Sequence, residues 1–451
     1  MSQIDRLRAL GLFDARVPRY TSYPTAPVFS PDIGGAFQAA CLRALPAGVP
    51  VSVYVHIPFC ERLCWFCACR TQGTTTLTPV EAYLGSLEAE LALLAAALPA
   101  GIRMGRLHWG GGTPTILPAP LIRRLAAAIK AVIPPAEVSD FSVEIDPTLV
   151  DEDKIAALRE AGMSRASIGI QDFAEEVQQA IGRAQSFETT VRCAAMLRAA
   201  GVGSLNADLV YGLPHQTPER IAASVDKVLS LRPDRIALFG YAHVPWMARR
   251  QKLIDEAALP GDVARHELAT LAAGLFGQAG YRAIGIDHFA LPQDSLARAA
   301  EAGGLRRNFQ GYTDDAAPSL IGLGASSISR FAAGYVQNAG ATPAYVAAIA
   351  EGRLAGSRGH VMSAGDHLRA RAIEMLLCDF ALDLPALWRL HGTDAERLRP
   401  ILQQIGAAFG DLVTTGEAGL TIRPEGRALA RIIAQRLDAY SGVEARYSQA
   451  S

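Results

Sequence analysis

No stretch of this sequence is long and apolar enough to cross a membrane. Its longest apolar runs, such as residues 91–98, fall far short of the roughly 20 residues a spanning helix needs. It opens with no apolar leader and carries no lipidation or export pattern. Basic blocks are also missing. Lysine and arginine number 43 against 44 aspartates and glutamates, a formal charge of −1, which argues against nucleic acid and an anionic membrane as partners. The expectation is a soluble, cytoplasmic protein. Cysteine is scarce too. Of seven in 451 residues, Cys41, Cys193 and Cys378 are scattered without a partner pattern and read as buried structural thiols. That scatter argues against a disulfide framework.

The other four cysteines fall within ten residues: Cys60, Cys64, Cys67 and Cys69, spaced C-x3-C-x2-C-x-C. The run Val51–Ile57 before them is apolar and β-branched, and Pro58 ends it, so the cysteines leave the end of a strand. Zinc sites usually join two separated ligand pairs, and no second pair exists here. An iron–sulfur cluster takes its thiolates from one short irregular loop and fits better; zinc ranks second and disulfides third. Three cysteines on a 4Fe-4S cube leave one iron open, as a catalytic centre needs. Cys69 could close that position, but it follows Cys67 by only two residues, and both on one cube would strain the loop. The expectation is that Cys69 is not a ligand.

From residue 51 strands alternate with helices. Strands are predicted at Val51–Ile57, Arg106–Trp109, Asp140–Ile145, Ala166–Ile170, Asn206–Val210 and Ile236–Tyr241. Amphipathic helices are predicted between them, at Pro79–Ala97, Ala119–Val132, Glu152–Ala161 and Phe187–Ala200, the last two followed by Gly162 and Gly201. Six such units predict an α/β fold, a partial (β/α)6 TIM-like barrel spanning 51–355. Residues 1–50 read as an N-terminal arm, and 356–451 as a smaller, mainly helical, winged-helix-like C-terminal domain. The cysteines, Gly110–Gly112, Glu144 and Asp146, Gln171 and Asp172, Asp208, and Tyr241–His243 all follow or end predicted strands. In β/α barrels those ends share one face, where active sites form.

C-x3-C-x2-C with an aromatic before the last cysteine, Phe66, resembles the radical S-adenosylmethionine (SAM) enzymes. The string Tyr54–Cys60 with Cys69 is similar to the oxygen-independent coproporphyrinogen III oxidases. So are Arg19–Thr25, His108–Thr115, Gln171–Phe173, Asp208–Pro214 and Asn308–Thr313, which together span nearly the whole chain. The resemblance implies that Cys60, Cys64 and Cys67 hold a 4Fe-4S cluster whose open iron chelates SAM. It implies that Tyr54 meets the adenine, that Gly111 touches the cluster-bound SAM, and that Glu144 binds its cationic end. Gly112, Thr113, Gln171, Arg183 and Asp208 would hold a second SAM molecule. Phe66, Ala242 and Ile328 would complete the cofactor contacts, and Cys69, His56 and Gln310 would serve catalysis.

Read without the resemblance, several of these residues stay ambiguous. Gly110–Gly112 could equally make a tight strand–helix turn. His56 could be a core histidine satisfied by a neighbour's carbonyl, Arg183 a solvated helix-end arginine, and Asp146 before Pro147 a turn residue. Arg249, Arg250, Arg306 and Arg307 are candidates for the carboxylates of an anionic macrocycle. The implied reaction removes a hydrogen atom from a propionate β-carbon by a 5′-deoxyadenosyl radical. Loss of carbon dioxide and one electron leaves a vinyl group, and two rounds convert coproporphyrinogen III to protoporphyrinogen IX. A low-potential donor such as flavodoxin or ferredoxin and a monomeric state are expected. Two alternatives share the motif: a haem-chaperone branch, and enzymes that open haem by radical methylation. Arg19–Thr25 and Asn308–Thr313 speak against both, and Cys69 against the first.

Overall fold

The computed structural model describes residues 2–442 and residue 447. Six parallel strands follow one another in chain order across one sheet: β1 Val51–Ile57, β2 Met104–Gly111, β3 Pro135–Ile145, β4 Met163–Gln171, β5 Ser204–Tyr211 and β6 Arg235–Gly240. The predicted α/β order therefore holds. β1 is buried along nearly its whole length, as a parallel strand covered on both faces must be. Its connections run through α1 Thr78–Ala97, α2 Ala119–Val132, α3 Glu152–Glu160, α4 Phe187–Ala199 and α5 Pro218–Ser230. Asp151, Ser186 and Thr217 cap α3, α4 and α5 by accepting from backbone N–H groups. Gly162 and Gly201 end α3 and α4 at φ +98° and +80°. Helices and sheet share one core, with Trp109, Val143 and Phe276 at or near zero exposure.

The sheet extends beyond the six units. A seventh parallel strand, β7 Leu320–Leu323, lies on the outer side of β1, with Gly322 opposite Tyr54. Antiparallel strands Ile328–Phe331, Gly334–Asn338 and Gly356–Val361 continue that edge. Beyond β6 come His288–Ala290 and Arg282–Ile284, also antiparallel. Among the described residues the sheet has twelve strands, and its order is linear, an open and not a closed barrel.

A second core belongs to the C-terminal helices and the three-stranded antiparallel sheet of Ala381–Asp383, Gly419–Ile422 and Val413–Gly416. Leu7, Leu12, Phe13, Val17, Tyr20 and Tyr23 of the N-terminal segment are buried in this same core. Strand Gly356–Val361 lies in the large sheet, so the sheet runs past the boundary expected at 355. Among the described residues no helix is long and apolar enough to cross a membrane.

Candidate active site

The C-terminal ends of β1–β6 open onto a cavity of about 650 Å3. Cys60, Cys64, Phe66, Cys67, Cys69, Gly111, Gly112, Thr113, Glu144, Gln171, Arg183, Asp208 and Ala242 all line it. Residues far apart in sequence meet here because each sits at or just past a strand end.

The cysteine loop is held from two sides. On one side, the Trp65 N–H donates to the Ile181 carbonyl at 2.9 Å, and Arg62 donates to that of Ala184 at 2.6 Å. Gly182, at φ +64°, leaves room for the Trp65 indole, which a Cβ would meet at 2.7 Å. On the other side, Arg250 donates to the Thr71 hydroxyl at 2.7 Å and the Cys69 carbonyl at 3.3 Å. Gln251, fully buried, donates to the carbonyls of Phe66 (2.7 Å) and Ala242 (3.0 Å) and accepts from the Val244 N–H (2.6 Å). One side-chain amide thereby joins the cysteine loop to the segment after β6.

The glycine segment packs tightly against that loop. The Gly112 N–H donates to the Ile57 carbonyl and the Thr113 N–H to that of Phe59, both at 2.7 Å. A Cβ on Gly112 would lie 2.5 Å from the Phe59 oxygen, and one on Gly111 2.5 Å from the His56 ring. The close approach these glycines permit is thus first of all to neighbouring protein groups, the Phe59 backbone and the His56 ring, while their outer face lines the cavity. The Thr113 hydroxyl reaches the Cys60 sulfur at 3.5 Å, and Arg183 Nη1 the Cys64 sulfur at 3.3 Å. The Cys69 N–H donates to the Cys67 sulfur at 3.4 Å; hydrogen bonding between the two thiols draws Cys67 below its ordinary range and pushes Cys69 above it.

Glu144 accepts from the Gly111 N–H at 3.1 Å and lies 3.3 Å from His108 Nε2. Asp208 is bonded by Ser167 (2.8 Å) and Asn206 (2.7 Å), yet burial and the neighbouring Glu144 charge lift its carboxyl to about 6. Gln171 adopts φ +72°, a left-handed conformation uncommon for a side-chain-bearing residue and concentrated at functional sites.

Tyr54 and His56 stand behind the cavity wall. Tyr54 stacks on His108 at 5.7 Å between ring centroids. His56 Nε2 lies 3.0 Å from the Arg70 carbonyl, which can only accept, so Nε2 carries the proton and Nδ1 accepts from the Tyr54 hydroxyl at 3.1 Å. Burial lowers the His56 pKa, which favours the neutral ring. Gln310 is exposed on the turn between Arg306–Asn308 and Gly311–Thr313, and Ile328 opens an antiparallel strand opposite Gln337; neither lines the cavity. Asp146 is indeed a turn residue, accepting from Thr148, but it also lines the cavity 3.7 Å from Arg183. Ser167 and Gln251 are site residues whose sequence context gave no signal, while Asp146 stood among the strand-end residues and His108 in the string His108–Thr115 without a role of its own.

Among the described residues no three acidic, histidine or cysteine side chains surround a point that one metal ion could occupy. A 4Fe-4S cube asks something different, since its irons sit at separate corners and its thiolates spread around it. Three thiols opening into one cavity, with guanidinium and hydroxyl donors on two of the sulfurs, fit that demand.

Residues 54–228 match the family model of the radical SAM superfamily, whose members carry a 4Fe-4S cluster and SAM. The chain is 64% identical to the anaerobic coproporphyrinogen III oxidase 1 of Cereibacter sphaeroides over 452 residues, covering 100% of both chains. It is 56% identical to the oxygen-independent coproporphyrinogen III oxidase of Paracoccus denitrificans, again over 100% of both. Its fold matches coproporphyrinogen III oxidase (HemN) from Escherichia coli, described as a radical SAM enzyme, with a TM-score of 0.90 and 36% identity over 94% of this chain and 100% of that one. The chain belongs to the oxygen-independent coproporphyrinogen III oxidase family.

Proposed function

We propose that this chain oxidatively decarboxylates two propionate side chains of coproporphyrinogen III to vinyl groups without oxygen, giving protoporphyrinogen IX. The observation that carries the reading is the convergence of Cys60, Cys64 and Cys67 with Glu144 and Asp208 on one cavity, in a chain that aligns end to end with coproporphyrinogen III oxidases. When bound, the 4Fe-4S cluster and SAM supply one electron and a 5′-deoxyadenosyl radical that takes a hydrogen atom from the propionate.

The chain's own residues bind, orient and shield. Cys60, Cys64 and Cys67 ligate the cluster. Glu144, fixed by the Gly111 N–H, faces the ammonium and sulfonium charges of SAM. Arg183 and Thr113 donate toward the thiolates and stabilise their charge. Asp208, Gln171, Gly112, Thr113 and Arg183 bound the part of the cavity that receives a second SAM molecule. Tyr54 and His56 back the wall, Cys69 sits at the cavity mouth for catalysis, and Gln310 and Ile328 act only on rearrangement around substrate. A low-potential flavodoxin or ferredoxin supplies electrons to a monomer in the cytoplasm.

The test is anaerobic turnover of the reconstituted chain with reductant, SAM and coproporphyrinogen III. Protoporphyrinogen IX should form together with 5′-deoxyadenosine. Stable haem binding without turnover would overturn the reading.

A further inference from the structure

Electrons that reach a bound cluster enter from outside, and one face of the chain stands against the outer side of the cysteine loop. The segment after β6 contains a 3-10 helix, Arg249–Leu253. Such a helix has about three residues per turn, so side chains three positions apart share a face. Gln251 and Ile254 take the inner face and are buried. Gln251 donates to the Phe66 carbonyl of the cysteine loop, and Ile254 clusters with Val177 and Ile181. Arg249 and Lys252 share a second face and are both exposed. The third holds Arg250, which donates to the Cys69 carbonyl and the Thr71 hydroxyl, and Leu253, 59% exposed. Met247, just before the helix, is 67% exposed. Arg70, Arg249 and Arg250 line an opening of about 360 Å3 whose wall includes residues 68–72, the stretch after Cys67. Ala68, Cys69 and Arg70 are exposed. Ala68, Cys69 and Thr71 line both this opening and the cysteine cavity, so this strip of chain parts the two.

Exposed cations set among exposed apolar side chains suit an acidic protein partner. The charges steer the encounter and fix its register, and the apolar groups supply contact area. The chain as a whole carries a formal charge of −1, so this attraction is a property of the local face. The carboxylates next in sequence turn back on the chain: Asp255 accepts from the Ala257 N–H, and Glu256 lies 2.9 Å from His243. Building on the cluster chemistry proposed above, we infer that Met247, Arg249, Lys252 and Leu253, with Arg70, form the docking surface of an acidic one-electron carrier protein. One electron leaves the reduced carrier, which departs oxidised by one electron, and crosses the strip beside Cys67 to the cluster. Arg250 and Gln251 brace that strip from the same helix, so docking face and cysteine loop share one support. Of the four arginines singled out in the sequence, Arg250 lines the cysteine cavity, Arg307 lines a second cavity beyond β6, and Arg249 lines this outer opening.

Calorimetric binding of flavodoxin to the reconstituted holoenzyme tests the assignment, together with the rate at which reduced flavodoxin bleaches the cluster absorbance. Dithionite serves as a reductant that needs no docking. The wild type should bind flavodoxin, and its affinity should fall about tenfold as salt rises to about 0.2 M. Arg249→Glu and Lys252→Glu should each weaken binding about tenfold and slow bleaching by flavodoxin by a similar factor. Lys252→Glu should keep the wild-type rate of reduction by dithionite. Arg389→Glu makes the same change of charge at an exposed position on the C-terminal helix Leu384–His391, and it should bind flavodoxin as the wild type does. Equal losses in Arg389→Glu, or wild-type affinity in both Arg249→Glu and Lys252→Glu, overturn the assignment. So does a chain that ignores flavodoxin and uses this face to bind phosphatidylglycerol vesicles or a second copy of itself. A holoenzyme that flavodoxin reduces through this face, yet which converts no coproporphyrinogen III, overturns the reaction and leaves the docking surface standing.

Discussion

Cys69 lies two residues beyond Cys67 with its N–H on the Cys67 sulfur, a contact that supports the proposal that it tunes a ligand instead of being one. Cys69→Ser should therefore keep the iron content of the wild type after anaerobic reconstitution while losing turnover; iron loss as large as in Cys60→Ser would refute this. Gln251 makes a different kind of contribution. Its buried amide satisfies three backbone groups on two segments, so Gln251→Leu leaves two carbonyls and one N–H without their partner. The expected cost is about 1–3 kcal/mol, seen as a lower melting temperature, and a reduced iron stoichiometry from a loosened cysteine loop. The two residues differ in legibility. Cys69 stood out because a fourth thiol beside C-x3-C-x2-C is anomalous in spacing. Gln251 carries no local signal, because its partner on the cysteine loop, Phe66, lies 185 residues away and only the fold brings the two together.

Helix α1 shows how an element can carry a buried carboxyl for positioning. Its Glu90 accepts from the Gly324 N–H (2.7 Å), Asn338 (2.7 Å) and the Tyr345 hydroxyl (2.8 Å). Its Tyr83 hydroxyl donates to the His56 carbonyl and accepts from the Ala325 N–H. The helix thus ties the end of β1 to the loop after β7. Burial raises the Glu90 carboxyl from 4.5 to about 7. The folded chain then holds this proton at pH values where the unfolded chain has released it. Stability should fall as pH rises from about 4.5 to 7, by at most about 1.4 kcal/mol per pH unit. Melting curves of Glu90→Gln across that window should be flatter than wild type; parallel curves would remove Glu90 as the cause. The six parallel strands and helices α1–α4 were readable because their periodicities are long, with Gly162 and Gly201 marking two of the helix ends. β7 was not: four apolar residues give no period, and nothing local marks a pairing with β1.

At the scale of the molecule, the N-terminal segment and the C-terminal helices form one core. Phe13, 2% exposed, packs there with Leu376, Leu398 and Ile433 as fellow members. Phe13→Ala should cost about 3–5 kcal/mol, and hydrogen exchange should localise the loss to the C-terminal helices instead of β1–β6. The N-terminal arm read from sequence is therefore a structural part of the domain at the other end of the chain, a relation that composition cannot express. The placement of β7 has a further consequence, for biosynthesis. β1 emerges early from the ribosome, but one of its two hydrogen-bonding neighbours is among the last parts of the sheet to be made. Until then the strand that launches the cysteine loop presents an open edge, and closing it demands contacts of high sequence separation. Nascent chains stalled before residue 320 should therefore be protease-sensitive at the cysteine loop and prone to self-association, and cluster insertion should be a late, near-full-length event.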